Sequence, residues 1–472
     1  MQRVKKTKIV ATLGPASAQN DVLPKMIEAG LNVARLNFSH GSFEEHQRSL
    51  DMVRKFSKKL RRPVGVLQDL SGPKIRIGEF YQERVMLTAG DDFVLTTEKC
   101  VGDEHRAFIN YADLPKEIKP GEPILLDDGK KKMEVVKVEG NEIYCKIIVG
   151  GETKGRRGVN LPGTDLKISC LTDKDRKDLV FGVKNEVEFM ALSFVRKPED
   201  IEELRAILKR KKSQARIIAK IETPQAIENL EAILQAADGV MVARGDLAVE
   251  VPMEQVPVLQ KRIIKRARQL GKPVIVATQM LESMINSPVP TRAEVNDVAN
   301  AILDGTDAVM LSEESTLGKF PVEAVETMNR IALHTEAHYP HRHIMKKGDT
   351  TVDVVVDSVT NAVVNTAHEV EAKVIVALTE SSFTPRMVSR HRPAQQIVVL
   401  TPNDRVLRKM ALSFGCYAYK VKPFRQVSEV VNEARKVLVA QGFAKTGEKF
   451  VIAAGVPFGQ PGGTNLMMVE TV

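Results

Sequence analysis

Cysteine is scarce in this 472-residue chain: Cys100, Cys145, Cys170 and Cys416 lie far apart, with no Cys-x-x-Cys pair. That excludes a disulfide framework and a zinc site, and free thiols suit a reducing compartment. No apolar run approaches the ~18 residues of a membrane span, and no apolar stretch of signal-peptide type follows the basic first residues. The chain is therefore expected to be cytoplasmic, with no membrane partner. No Gly-x-Gly-x-x-Gly follows the first apolar strand, which weighs against dinucleotide binding. A nucleic-acid tail is absent too: the net charge is +9, but 27% charged residues is ordinary globular composition. The basic runs at 209–212 and 261–266 fall in helical segments, the second interleaved with Ile263 and Ile264, and read as exposed faces. His338, His341 and His343 have no carboxylate or cysteine set beside them and read as part of a solvated linker.

What is present is alternation. Eight short apolar strands, at 8–13, 33–39, 63–67, 189–195, 216–222, 239–243, 273–277 and 308–311, are separated by helical stretches. The α/β pattern has the count and order of a (β/α)8 TIM barrel, although an open doubly wound sheet fits the alternation nearly as well. Between the third and fourth strands the texture turns β-like, with turn formers at Asp127-Asp128-Gly129 and Glu139-Gly140-Asn141. A small β-barrel domain inserted at 78–166 is expected, splitting the barrel into 1–77 and 167–340. Buried strands at 373–379, 396–401 and 449–454 predict a C-terminal α/β domain over 341–472.

The stretch at 216–223 organises the rest. It reads as a buried strand carrying Lys220 and Glu222 two positions apart, so both project from one face while Ala219 and Ile221 face the other way. An unpaired buried lysine or glutamate is costly, which disfavours an idle edge-strand pair. The next strand runs into Arg244-Gly245-Asp246 and brings a second carboxylate to a strand end. Two carboxylates with a lysine between them suit a divalent cation and a phosphorylated substrate.

The segments IIAKIETPQAI and GVMVARGDLAVE resemble the signature segments of pyruvate kinases. ARLNFSHG, KGRRGVNLPG, VATQMLESM and PTRAEVNDVANAILDGTDAVMLSEES extend the resemblance, in order, over essentially the whole chain. It implies phosphoryl transfer from phosphoenolpyruvate to ADP, giving pyruvate and ATP at the end of glycolysis. It also implies a lid closing over the nucleotide, an allosteric phosphorylated effector and a homotetramer. By the same resemblance Arg35 holds the substrate phosphate, Lys220 neutralises the phosphoryl group in flight, and Thr278 lies by the enolpyruvate methylene. Glu222 and Asp246 would bind Mg2+ or Mn2+, and the amides of Gly245 and Asp246 the substrate carboxylate. Asn37, Phe38, Ser39 and His40, with Arg76 and Arg157, would line the nucleotide side. Thr379, Ser381, Ser382 and Thr384 resemble an effector phosphate loop, with Ser382 where glycine is usual. Two other readings are a lyase of the phosphoenolpyruvate-binding barrels and a silent metabolite sensor. The inserted lid disfavours the first and the intact site residues the second.

One motif departs from the family. Many members need K+ and carry Asp-Thr-Lys-Gly-Pro-Glu after the third strand, whereas this chain has Asp69-Leu70-Ser71-Gly72-Pro73-Lys74. Asn37, Ser39, Asp69 and Leu70 match the remaining ion ligands. A tethered ammonium at Lys74, expected beside Asp69, would take the ion's place, so K+ is expected not to be required.

Overall fold

The computed structural model describes residues 4–341, 352–458 and 463–472. Eight strands, Lys8–Thr12, Val33–Asn37, Gly65–Asp69, Phe189–Leu192, Arg216–Ile221, Gly239–Ala243, Val274–Ala277 and Ala308–Leu311, pair in parallel, and the first pairs with the eighth to close a barrel. The open-sheet alternative is thereby excluded. Side-chain alternation sorts each strand: Ile217, Ala219 and Ile221 pack outward against the helices, while Ile218 faces a core within the barrel beside Phe189, Met241 and Ile275. The helices start where the sequence supplies caps, as at Ser42 with Glu45, Thr172 with Asp175 and Thr291 with Glu294. Parallel register sets Asn37 opposite Asp69 and Ala243 opposite Ala277, so the second, third, sixth and seventh strands end together. Active sites of such barrels gather at that end.

The inserted unit has its own core, including Phe93, Leu95, Ile124, Met133, Val135 and Ile143. It is a six-stranded sheet, ordered Val159–Asn160, Pro123–Leu126, Lys131–Glu139, Glu142–Val149, Asp92–Thr96, Arg106–Phe108, with a two-stranded ladder of Arg84–Leu87 and Gly151–Lys154 beside it. Its foot touches the barrel where Asn160 donates from its amide to Glu250 Oε1 at 2.8 Å.

The C-terminal sheet has the order Cys416–Lys420, Gln396–Thr401, Val374–Leu378, Lys449–Ala454, Leu466–Thr471, with the last strand antiparallel and an apolar core on each face. It docks on the base of the barrel through buried polar ties: Lys8 Nζ donates to Cys416 O at 2.6 Å, and Arg392 pairs with Asp307 at 2.8 Å. The linker expectation holds only in part. Tyr339 is buried against Phe414 and His341 bonds Arg392 O, so both belong to the domain junction, whereas His343 lies outside the described residues.

Candidate active site

The charged centre sits at the C-terminal end of the barrel. Lys220 Nζ lies 2.7 Å from Glu222 Oε1 and 3.7 Å from Asp69 Oδ1, and it donates to Ser193 Oγ at 2.8 Å. Asp69, almost fully buried, also accepts from Arg35 Nε at 2.7 Å, and Arg35 NH1 reaches Thr12 Oγ1 at 2.8 Å. One carboxylate thus spaces two cations. Burial acts to neutralise Lys220, but Asp69, Glu222 and Asp246 outweigh it and hold its pKa above the ordinary lysine value. Burial pushes the Glu222 carboxyl up, Lys220 opposes this, and the charge of Asp246 adds to it.

Those two carboxylates fit a divalent cation. Glu222 is fully buried; Oε2 accepts the Phe194 amide at 2.8 Å, while Oε1 has an ion-pair contact but no hydrogen bond of good geometry. Asp246 faces it from the first turn of the helix Arg244–Glu250. Among the described residues no cluster of three metal-ligating side chains occurs. An ion here would therefore take two protein carboxylates and complete its shell from substrate and water, the habit of Mg2+.

Thr278 follows the seventh strand with φ +70°, and Gln279 follows with φ +54°. Left-handed backbone at a β-branched residue is strained. Arg244 holds it: Nε and NH2 donate to Ala277 O at 3.2 Å and Thr278 O at 2.7 Å, while NH1 pairs with Asp297 at 2.7 Å. Thr278 Oγ1 accepts the Gly245 amide at 2.8 Å and so caps the helix bearing Asp246 from a neighbouring strand. The Gly245 amide is consequently engaged by protein rather than open to a substrate carboxylate.

Several other expected residues sit differently from the sequence reading. The second strand stops at Asn37, whose Oδ1 accepts the Ser39 amide at 3.2 Å, so Ser39 turns off the face shared by Arg35 and Asn37. Phe38 buries its ring against His46, with centroids 4.1 Å apart, and so fixes the loop rather than facing a nucleotide. The His40 side chain reaches solvent, and partial desolvation of its ring together with the charges of Lys74, Arg76 and Arg35 lowers its pKa. Arg76 joins the insert by donating to Arg156 O at 3.0 Å, and Arg157 lies 3.5 Å from Asp127. Lys74 is exposed and makes no ion pair with Asp69, whose oxygens face Arg35 and Lys220 instead. Leu70 is buried, and its carbonyl accepts Ser193 Oγ at 2.7 Å.

In the C-terminal domain, Thr379, Ser381 and Thr384 border a cleft with Glu380, Phe383 and Phe424. Ser382 does not share it: with φ +70° and full burial, its hydroxyl bonds Arg216 at the start of the fifth barrel strand. The Thr384 hydroxyl is likewise buried, against Thr464 Oγ1 at 2.8 Å. Sequence reasoning missed Ser193, Arg244 and Arg216. Arg244 lies inside a segment already singled out and Ser193 inside the fourth expected strand, whereas only the fold brings Arg216 to the C-terminal loop.

Comparison with known proteins identifies the family. The model of the pyruvate kinase barrel domain matches residues 4–325, and that of the pyruvate kinase alpha/beta domain matches residues 357–470. A pyruvate kinase of Clostridium perfringens is 42% identical over 99% of this chain and 100% of its own length. One of Geobacillus stearothermophilus is 44% identical over 99% of this chain and 80% of its own. The crystal structure of a pyruvate kinase from Cryptosporidium parvum superposes with a TM-score of 0.94 at 35% identity, covering 99% of this chain and 96% of that one. With both family domains matched in order around a site of this composition, the chain belongs to the pyruvate kinase family.

Proposed function

We propose that the chain transfers the phosphoryl group of phosphoenolpyruvate to ADP, with Lys220 meeting the charge in flight. The observation that carries this is the Arg35–Asp69–Lys220 bridge at the mouth of the barrel. Phosphoryl transfer is mostly positioning and charge neutralisation, and two cations held apart by a buried carboxylate are organised before substrate arrives. Arg35 commits Nε and NH1 to Asp69 and Thr12, which orients the guanidinium for the substrate phosphate. Ser193 fixes the Lys220 ammonium from the side. Glu222 and Asp246 would hold the divalent ion, which when bound supplies positive charge to the phosphoryl oxygens. The inserted domain, tied to the Asp246 helix by Asn160 and Glu250, would exclude water as it closes over a nucleotide reached by Arg76 and Arg157.

Two finer readings belong to the same proposal. The cleft at Thr379, Ser381 and Phe383 takes a phosphorylated effector, through Thr379 and Ser381 and without the hydroxyl of Ser382. Activity needs no K+: the Lys74 side chain runs past Gly158 with its charge acting on His40, and Asp69 already carries two cations. One coupled assay tests both chemistry and ion requirement. Pyruvate should form from phosphoenolpyruvate, ADP and Mg2+ in tetramethylammonium buffer, at a rate that added K+ leaves unchanged. No pyruvate in any buffer would overturn the phosphotransfer reading, and strong K+ stimulation would overturn the role of Lys74.

A further inference from the structure

Between the base of the barrel and the C-terminal domain lies a small cavity that shares no lining residue with the C-terminal cleft or the charged centre described above. Arg268, Lys272 and Asp307 line it from the barrel, and Arg386, Arg390, Arg392 and Ser413 from the C-terminal domain. Five cations therefore face one carboxylate. Arg392 takes Asp307, and Arg390 takes Asp357. The other three have no carboxylate partner among the described residues: Arg268 donates to Tyr339 Oη at 3.2 Å, Lys272 to Ala237 O at 2.7 Å, and Arg386 to Gly271 O at 3.2 Å. Neutral acceptors satisfy hydrogen bonds but leave the charge in place.

A second observation is independent of the charge count. Arg268 Nε, Arg390 Nε and Ser413 Oγ are buried polar atoms without any hydrogen-bond partner, and all three residues line this cavity. Buried polar groups are ordinarily paired, so three orphans around one void indicate a missing partner. Three surplus cations specify its sign. We propose that the junction binds a single compact inorganic anion, phosphate or chloride, which neutralises the cationic walls and fastens the C-terminal domain to the barrel. The void has room for a group little larger than one water molecule, which admits chloride more readily than phosphate and excludes a nucleotide or sugar ring. Burial, with Arg386, Arg205 and Arg216 nearby, holds Lys272 down to about 8 despite Asp238, a cost that a bound anion relieves. Arg386 also donates to Ser382 O at 3.3 Å, so the same cation touches the loop of the effector cleft.

The test is thermal unfolding of the full chain titrated with sodium phosphate, and separately with sodium chloride, at constant ionic strength made up with a bulky organic anion. One arm should give a saturable rise in Tm of about 2 °C or more, and the arm that does so identifies the ion. Ser413→Ala should weaken the midpoint several-fold, and Arg268→Gln should abolish the rise. Arg35→Met should keep it, because the active site is elsewhere. Crystals grown with bromide should show an anomalous peak among Arg268, Arg390 and Ser413. The proposal is overturned if Tm follows ionic strength alone, or if the saturable rise survives in Arg268→Gln or vanishes in Arg35→Met. Water alone in the cavity in both phosphate-grown and bromide-grown crystals would overturn it equally.

Discussion

Replacing Asp69 by asparagine isolates the charge that spaces the two active-site cations. The amide keeps the size of the side chain and one acceptor for Arg35 Nε, and the backbone carbonyl of residue 69 still accepts the Phe38 amide at 3.0 Å. What is lost is the negative charge between Arg35, at 2.7 Å, and Lys220, at 3.7 Å, in a site where Asp69 is 1% exposed. Removing one partner of a buried pair costs about 3–5 kcal/mol; the retained acceptor and Glu222 beside Lys220 place this case at the lower end, about 3 kcal/mol. Urea unfolding should report that loss as a lower midpoint with an unchanged slope. Arg35 also exchanges a charged anchor for a neutral one, so kcat/KM for phosphoenolpyruvate should fall by about 10²–10³, or about 3–4 kcal/mol of transition-state stabilisation. Both losses should be the same with and without K+, since in this account Asp69 positions side chains rather than an ion. A variant within about 0.5 kcal/mol of wild-type stability and within about threefold in kcat/KM would refute the reasoning. A defect seen only in K+ would return Asp69 to the role of ion ligand.

Three further outcomes follow from other residues. Burial lowers Lys8 from 10.5 to about 8, so the unfolded chain binds more protons between those values and wild-type stability should rise with pH across that window. Lys8→Met should flatten that rise by the Lys8 share, about 3 kcal/mol in full, and keep the part owed to Lys272, as read from unfolding midpoints at pH 7.5 and 10. Ser382→Ala should cost about 1 kcal/mol by taking one acceptor from half-buried Arg216, which keeps Ser381 O at 2.8 Å, while leaving the midpoint for any phosphorylated effector unchanged; a lost effector response would show that the hydroxyl binds ligand after all. Asp246→Ala should raise the Mg2+ concentration for half-maximal rate at least tenfold, and an unaltered Mg2+ midpoint would remove Asp246 from the metal site.

The barrel was legible because a strand buried on both faces leaves a continuous apolar signal, and seven of the eight expected strands match within two residues, apart from overshoot at Ser193–Val195 in the fourth. Short or polar strands left no such signal. Arg106–Phe108, Val159–Asn160 and Leu466–Thr471 are each held by their neighbours, and the last alternates exposed with half-buried residues. In the site, the two-residue period placed Lys220 and Glu222 together correctly. The expected strand at 33–39 ran two residues too far and took in Ser39, because the chain turns after Asn37 and periodicity does not announce a strand's end. Lys74 and Asp69 are near in sequence, but the loop at Gly72 reverses between them. With φ +66°, and a Cβ there only 2.9 Å from the Phe194 ring, that position admits glycine alone. Long-range ties such as Arg216 with Ser382 depend on docking between domains and have no local signature.

The most direct test of the account is the steady-state kinetics of Lys220→Met with saturating ADP and Mg2+. If the ammonium meets charge that develops on the phosphoryl group, kcat should fall by about 10³ or more while KM for phosphoenolpyruvate stays within about threefold. A near-normal kcat, or a loss confined to KM, would contradict it.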